Sequence, residues 1–437
     1  MELNLANLDI SDSDLSREAE ASMTEPPETR SPQEATEDAE RYEYDPLEAG
    51  SIRLLFLLEG DDDDDDLECA LIHVELSDVG EYTALSYVWG GQSNPCAIYI
   101  GDQYLWVTAN LDNALRHLRR RDHPVWLWVD ALCIDQSNTE ERNHQVQQMC
   151  QIYESARDTV VYLGDQTGGN TGYSAWNFLE RNSTWALNEF REKDYTLPTV
   201  VEDLVDFRGD IHDVYRDVLT RPWFSRAWVF QEVVVSREVI VQCGSRGIDW
   251  NDFCKLVILG KRAHDRYGLS LQQQDLSHSL RRIWQARVAF HLSKGQERHL
   301  PDWYTQTLNS HDATADILSM LTRARHLIAS DPRDKIFALL GISTGFDWKA
   351  FNTINYATPT PEVYTKFARD LITTRKDYRL LSYLDKASNI HLRLMPSWVP
   401  SWHGLRTSTP EPRAIIEVVE QHSSPPVERF TAMSLES

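Results

Sequence analysis

The chain has 437 residues, 41% of them hydrophobic, and a formal net charge of −25. That is enough apolar material for one large domain or two to three smaller ones, and the acid excess argues against nucleic acid as the main partner. The acidity is concentrated at one end: residues 1–66 hold 22 Asp and Glu against four Arg, so the remainder is only mildly acidic. The six cysteines contain no C-x-x-C pair, which excludes the common zinc and dithiol redox motifs. The N-terminus has no apolar signal-peptide core, and no run reaches the eighteen or so apolar residues of a membrane span. The expectation is a soluble cytoplasmic protein with reduced thiols, no membrane span and no metal.

Residues 1–45 are rich in Glu, Ser, Thr and Pro and poor in large apolar residues. Such a stretch cannot bury enough surface to offset chain entropy, so a disordered acidic segment is expected. "SIRLLFLLEG" and "LECALIHVEL" read as two strands of a hairpin, with the aspartates from Asp61 to Asp66 as its solvated loop. "YTALSYVWGG" (82–91) is a short apolar strand ending in Gly-Gly, and "AIYIGDQYLWVT" (97–108) is two short strands around a Gly-Asp turn. In 109–120, Leu111, Ala114, Leu115 and Leu118 share one helix face. "PVWLWVDALCID" (124–135) is a nearly continuous apolar strand, as expected when both faces are covered. A helix follows, started by Ser137 with Glu140 or by Asn138 with Glu141. "TVVYLG" (159–164) is a further buried strand.

This alternation predicts a parallel sheet covered by helices. The strands near 83–88, 125–130 and 159–163 should be parallel neighbours, with their crossover helices on opposite faces. Residues 165–220 look like an insertion, "EVIVQCG" (238–244) is another strand, and from about 250 the pattern is mostly helical. The expected division is 1–45, 46–245, a helical region 246–410 and a flexible tail 411–437.

In open parallel sheets ligands bind beyond the strand carboxyl ends. Ser86, Tyr87, Trp89, Gly90 and Gly91 follow the first such strand, and Asp130, Cys133 and Asp135 the second. Glycines would let backbone approach a ligand and rings could stack on one. A tight turn with ordinary core aromatics explains the same residues. Cys133 with His144 could make a thiol nucleophile, but a cysteine in an apolar run fits a structural role better. A third stretch, "RPWFSRAWVFQEV" (221–233), places a single acid, Glu232, in a strongly apolar run.

"YTALSYVWGG", "VWLWVDALCIDQSNTEERNHQVQQMCQIYESARDTVVYLG" and "RPWFSRAWVFQEV" resemble the three successive motifs of the fungal heterokaryon incompatibility (HET) domain, over core residues 82–233. Asp135 stands where the family often has Asn. "SDPRDKIFALLGI" (330–342), "PEVYTKFARDLI" (361–372) and "MPSWVPSW" (395–402) resemble blocks that commonly follow. The resemblance implies non-self recognition between fungal cells, ending in growth arrest or cell death, together with an incompatibility partner protein. It also implies an α/β fold similar to Toll/interleukin-receptor (TIR) domains, a flavodoxin-like parallel sheet flanked by helices and followed here by a mostly helical region.

Some TIR domains hydrolyse NAD with a glutamate four residues after a Trp, a spacing that Trp228 and Glu232 reproduce. Glu232 is then the catalytic candidate, with Ser86, Tyr87, Trp89, Gly90, Asp130 and Trp228 binding substrate, NAD as that substrate and no resident cofactor. One fixed carboxylate would suffice, because nicotinamide departs neutral and the developing ribosyl cation is what needs stabilising. The other readings are an ion pair of Glu232 with Arg221, Arg226 or Arg142, and a non-enzymatic module that signals by self-association.

Overall fold

The computed structural model describes residues 40–60, 66–91, 95–166, 175–183, 212–265, 271–301, 314–344, 354–384 and 395–402. Among these, ten strands form one mixed sheet: β1 (Glu40–Arg41), β2 (Ser51–Leu57), β3 (Glu68–Glu75), β4 (Thr83–Tyr87), β5 (Pro95–Ile100), β6 (Gln103–Thr108), β7 (Val125–Trp128), β8 (Asp158–Tyr162), β9 (Val239–Cys243) and β10 (Arg246–Asp249). Their spatial order is β1-β6-β5-β3-β2-β7-β4-β8-β9-β10.

The centre, β7-β4-β8-β9, is parallel throughout. All five residues of β4 and all five of β8 are buried, the polar Thr83, Ser86, Asp158 and Thr159 included, so neither strand shows in–out alternation. The three strands expected to be parallel neighbours are so. The antiparallel wing adds what the parallel expectation lacked: β2 pairs antiparallel with both β3 and β7, and β5 with β6. Gly101, at φ 64°, turns that last hairpin.

Helix α1 (Ala109–Leu118) buries the stripe Leu111, Ala114, Leu115 and Leu118. Helix α2 (Thr139–Ser155) is capped by Asn138, whose side chain accepts from the Glu140 and Glu141 amides. The Glu141 carboxylate turns away from the cap to Arg53, 2.5 Å away on β2, and Arg53 is fully buried. The two helices cover opposite faces. Tyr162, which shares a face with its register partner Tyr87, donates its hydroxyl to Asn113 of α1. On the other face the Trp128 ring meets Tyr153 of α2 at 5.4 Å between centroids. Right-handed crossovers on either side of a first, central strand require this arrangement.

Two boundaries move. Glu40–Arg41 pairs with β6, and Tyr42 and Tyr44 pack against the core, with the Tyr44 hydroxyl on the Leu132 carbonyl at 3.0 Å. The acidic segment therefore ends before Glu40 rather than at 45, because two tyrosines give this stretch enough ring surface to dock; residues 1–39 and the tail from 403 lie outside the described residues. The hairpin β9–β10 carries the sheet to Asp249, past the expected limit at 245. Within 165–220, the helical segment 175–183 buries Trp176, Phe178 and Leu179, so that part belongs to the core.

The later region is helical: α3 (Trp228–Val235), α4 (Trp250–Asp265), α5 (Leu271–Ser293), α6 (Ile317–Ala324), α7 (Asp334–Leu340) and α8 (Thr360–Thr373). Its buried residues join the sheet's in one continuous core. No helix among the described residues is long and apolar enough to cross a membrane.

Candidate functional site

The motif 221–233 begins with a 3-10 turn, Pro222–Ser225, and continues as α3. Every residue of α3 after Trp228 is buried, Glu232 included. A helix that is apolar almost all round belongs inside a protein, so its one carboxylate needs specific partners.

They come from the end of β4. The Ser86 hydroxyl donates to Glu232 Oε2, and the Trp223 indole donates to Ser86 Oγ at 2.8 Å. This relay runs from ring to hydroxyl to carboxylate, so each polar group is satisfied in sequence. The Arg226 guanidinium donates to the Tyr87 carbonyl and lies near enough to act on Glu232 electrostatically. One turn beyond Glu232, the Ser236 hydroxyl donates to the Glu232 carbonyl at 2.5 Å and meets Thr159 of β8 at 2.6 Å. The carboxylate is thus tied to β4, and the end of the helix that carries it to β8.

Burial drives the Glu232 carboxyl up to about 7, against the pull of Arg226 and the Ser86 hydrogen bond, with Asp130 pushing it further up. Asp130, just past β7, is also raised by burial, opposed by Arg226 and by donors from Trp89, the Ala131 amide and Tyr87. The Trp89 indole donates to Asp130 Oδ2 at 2.8 Å, and 39% of Trp89 is exposed. Gly90, at φ 75°, makes the turn that brings Trp89 there.

Ser86, Tyr87, Trp89, Gly90, Asp130 and Glu232 therefore share one end of the sheet, two acids of this group facing one guanidinium. Two details differ from the sequence expectation. Glu232 is only 3% exposed, set behind Ser86 and Trp223 rather than standing open in a cleft. Trp228, expected among the substrate-binding residues, hydrogen-bonds Asp334 of α7 through its side chain, and Trp223 is the ring tied to Ser86. The spacing of four puts Trp228 and Glu232 on one helix face but leaves open what that face meets.

Sequence reasoning gave Trp223 and Arg226 lesser parts than the structure does. Both lie within ten residues of Glu232 in the same motif, which was the available signal. Of the three arginines weighed as partners, Arg142 instead stacks over Tyr356 at 4.9 Å and Arg221 reaches the Leu163 carbonyl. Cys133 is buried, its thiol pushed up to about 12 by burial, and His144 pairs with Gln148, so the two make no nucleophile–base pair. Among the described residues no group of three His, Cys, Asp or Glu side chains could hold a metal ion.

Residues 82–232 match the sequence family described as heterokaryon incompatibility protein (HET). Heterokaryon incompatibility protein 6, OR allele, of Neurospora crassa is 26% identical over 415 residues, covering 81% of this chain and 58% of the relative. Vegetative incompatibility protein HET-E-1 of Podospora anserina is 24% identical over 188 residues, covering 41% of this chain and 12% of the relative. The chain thus spans under two thirds of the length of either. No solved structure matches. Every residue of the site, from Ser86 to Glu232, falls inside the span that matches the heterokaryon incompatibility family.

Proposed function

We propose that this protein is an effector of fungal vegetative incompatibility whose HET domain cleaves NAD, with cell death as the consequence. The names of its two relatives support the biological setting. The buried Glu232 carboxylate, held by Ser86 at the carboxyl end of a parallel sheet, supports the chemistry. In that reaction the bond between ribose C1′ and the pyridinium nitrogen breaks, and its electron pair leaves with neutral nicotinamide. Water adds to C1′ and releases a proton, giving ADP-ribose. Glu232 stabilises the positive charge that builds on the ribose, and in a dry setting a carboxylate does this far better than in water. The half-exposed Trp89 ring offers a stacking surface for a base.

The depth of Glu232 favours a second reading, a non-enzymatic module that self-associates and in which the carboxylate is structural. Incubating the purified chain with NAD and measuring free nicotinamide separates the two. Release by the parent and its loss in Glu232→Gln supports cleavage; no release from a folded parent, in any assembly state, leaves the structural reading.

A further inference from the structure

The strand order β7-β4-β8-β9 reverses direction at β4, because the chain passes from β4 to β7 on one side and then to β8 on the other. The crevice between the carboxyl ends of β4 and β8 is therefore the topological switch point, where doubly wound sheets take ligands. Two arginines stand at it. Arg226 donates to the carbonyl of Tyr87, the last residue of β4. Arg221 donates from Nη1 to the carbonyl of Leu163, just after β8, at 2.7 Å, and from Nε to the Asp217 carbonyl at 3.0 Å. Tyr87 and Tyr162 are register partners, so the two anchoring carbonyls stand at the ends of adjacent strands, that of Leu163 one residue past this register.

The acids nearby already have donors of their own. Asp165 accepts from His117 Nε2 at 3.0 Å and from Asn113, Asp130 from Trp89, and Glu232 from Ser86. The hydrogen bonds of the two guanidinium groups go to carbonyls, and among the described residues no carboxylate lies within ion-pair distance of either, Arg226 acting on Glu232 and Asp130 only from further off. The crevice floor is kept low by glycine. Gly90 and Gly164 are both left-handed, at φ 75° and 91°, and a Cβ on Gly164 would stand 3.4 Å from Arg221 Nη1 and 3.6 Å from Asn110 Oδ1. Asn110 of α1 bridges the two turns, its amide on the Val88 carbonyl at 2.6 Å.

We propose that Arg221 and Arg226 form a diphosphate-binding pair, and that the ligand of this crevice is a nucleotide that carries a diphosphate. Two guanidinium groups anchored at the ends of adjacent strands can meet two linked phosphoryl groups, and their planar forks suit phosphate oxygens. The glycine turns let the ligand approach the backbone. This rests on the NAD reading for what the diphosphate links, and it can fail or stand without it.

The test uses the full chain and calorimetric titration with ADP-ribose, inorganic pyrophosphate and adenosine. ADP-ribose and pyrophosphate are expected to bind the parent. The double variant Arg221→Gln, Arg226→Gln should weaken ADP-ribose by about tenfold or more and leave adenosine unchanged. If that variant fails to fold, Arg221→Lys and Arg226→Lys keep the charge and lose the fork, and each should still weaken ADP-ribose measurably. Unchanged ADP-ribose affinity in a folded variant, or no binding of either phosphorylated probe to the parent, overturns the proposal. A parent that binds ADP-ribose but releases no nicotinamide from NAD refutes cleavage and leaves the pair standing. A parent that cleaves NAD with an affinity indifferent to both substitutions refutes the pair alone.

Discussion

Replacing Glu232 by Gln separates the two roles that a buried acid can play. The substitution keeps size and shape, and its amide can still accept from the Ser86 hydroxyl. Only the charge is lost. In the folded protein burial holds this carboxyl up to about 7, against 4.5 ordinarily. That difference corresponds to about 3 kcal/mol. The sign follows from the direction. Below the ordinary value the acid is protonated in both states and contributes no pH dependence. Between there and about pH 7 the folded protein keeps a proton that the unfolded chain releases, so stability falls as pH rises. Above about 7 the penalty is complete and constant.

The glutamine variant is spared that penalty. In urea unfolding it should match the parent within about 1 kcal/mol at pH 5 and exceed it by about 2–3 kcal/mol at pH 8. Other titrating groups act on both proteins and largely cancel in the difference. If NAD cleavage is the function, nicotinamide release by the parent should rise with pH through about 7, as Glu232 ionises, and the variant should lose about a hundredfold or more. A variant less stable than the parent at pH 8 refutes the reasoning. Arg226 would then hold Glu232 as a net stabilising ion pair, with attraction exceeding the desolvation cost.

Three further substitutions test the framework around the site. Arg287 of α5 is 1% exposed and donates to the carbonyls of Val233, Ser236 and Arg237, so Arg287→Met should cost about 3 kcal/mol or more, and a change under about 1 kcal/mol in denaturant midpoint analysis would contradict this role. Arg53→Met leaves the Glu141 carboxylate without its buried partner and should cost about 3–5 kcal/mol, with Glu141→Gln in the same background recovering part of it. Burial holds Asp334 up to about 6, so it removes stability as pH rises from the ordinary carboxylate value to about 6; Asp334→Asn should flatten that part of the stability profile, and an unchanged slope between pH 4 and 6 would count against it.

The parallel centre was legible because β4 and β8, its middle strands, are buried on both faces. Residues 159–163 read as apolar without alternation and β8 is buried throughout; β7 read the same way but stops at Trp128, with Trp126 38% exposed and a helical turn from Asp130 to Cys133 in place of the expected continuation. Glu232 was legible for the opposite reason, as a charge where burial forbids an unpartnered one. Its partners were not. Ser86 lies 146 residues away in sequence, and only the β4–β8 register places it under α3. Nor was the partner of Trp228 legible, since its side chain bonds Asp334, on a helix more than a hundred residues downstream. Glu40–Arg41 escaped notice because a two-residue strand carries no periodicity. Its cue was Tyr42 and Tyr44, two rings at the edge of an acidic stretch.

The match to the HET family ends at Glu232, which is the middle of α3. A family limit placed inside a helix is a limit of sequence similarity and not of folding. At the start of α3, the Ala227 amide donates to the Ile328 carbonyl at 2.8 Å, and Trp228 bonds to Asp334. At its end Arg287 gathers three carbonyls that have no other helical donor. Both clamps come from the helical region beyond Asp249. Without that region the side of α3 that packs on α5 and α7 would face water, at roughly 1.5–3 kcal/mol for each large side chain exposed. An eight-residue helix cannot hold itself against that loss, since helices this short are marginal alone. The position of Glu232 is therefore set as much by Arg287 and Asp334 as by Ser86, and the later helices are part of the machinery that the matched domain carries.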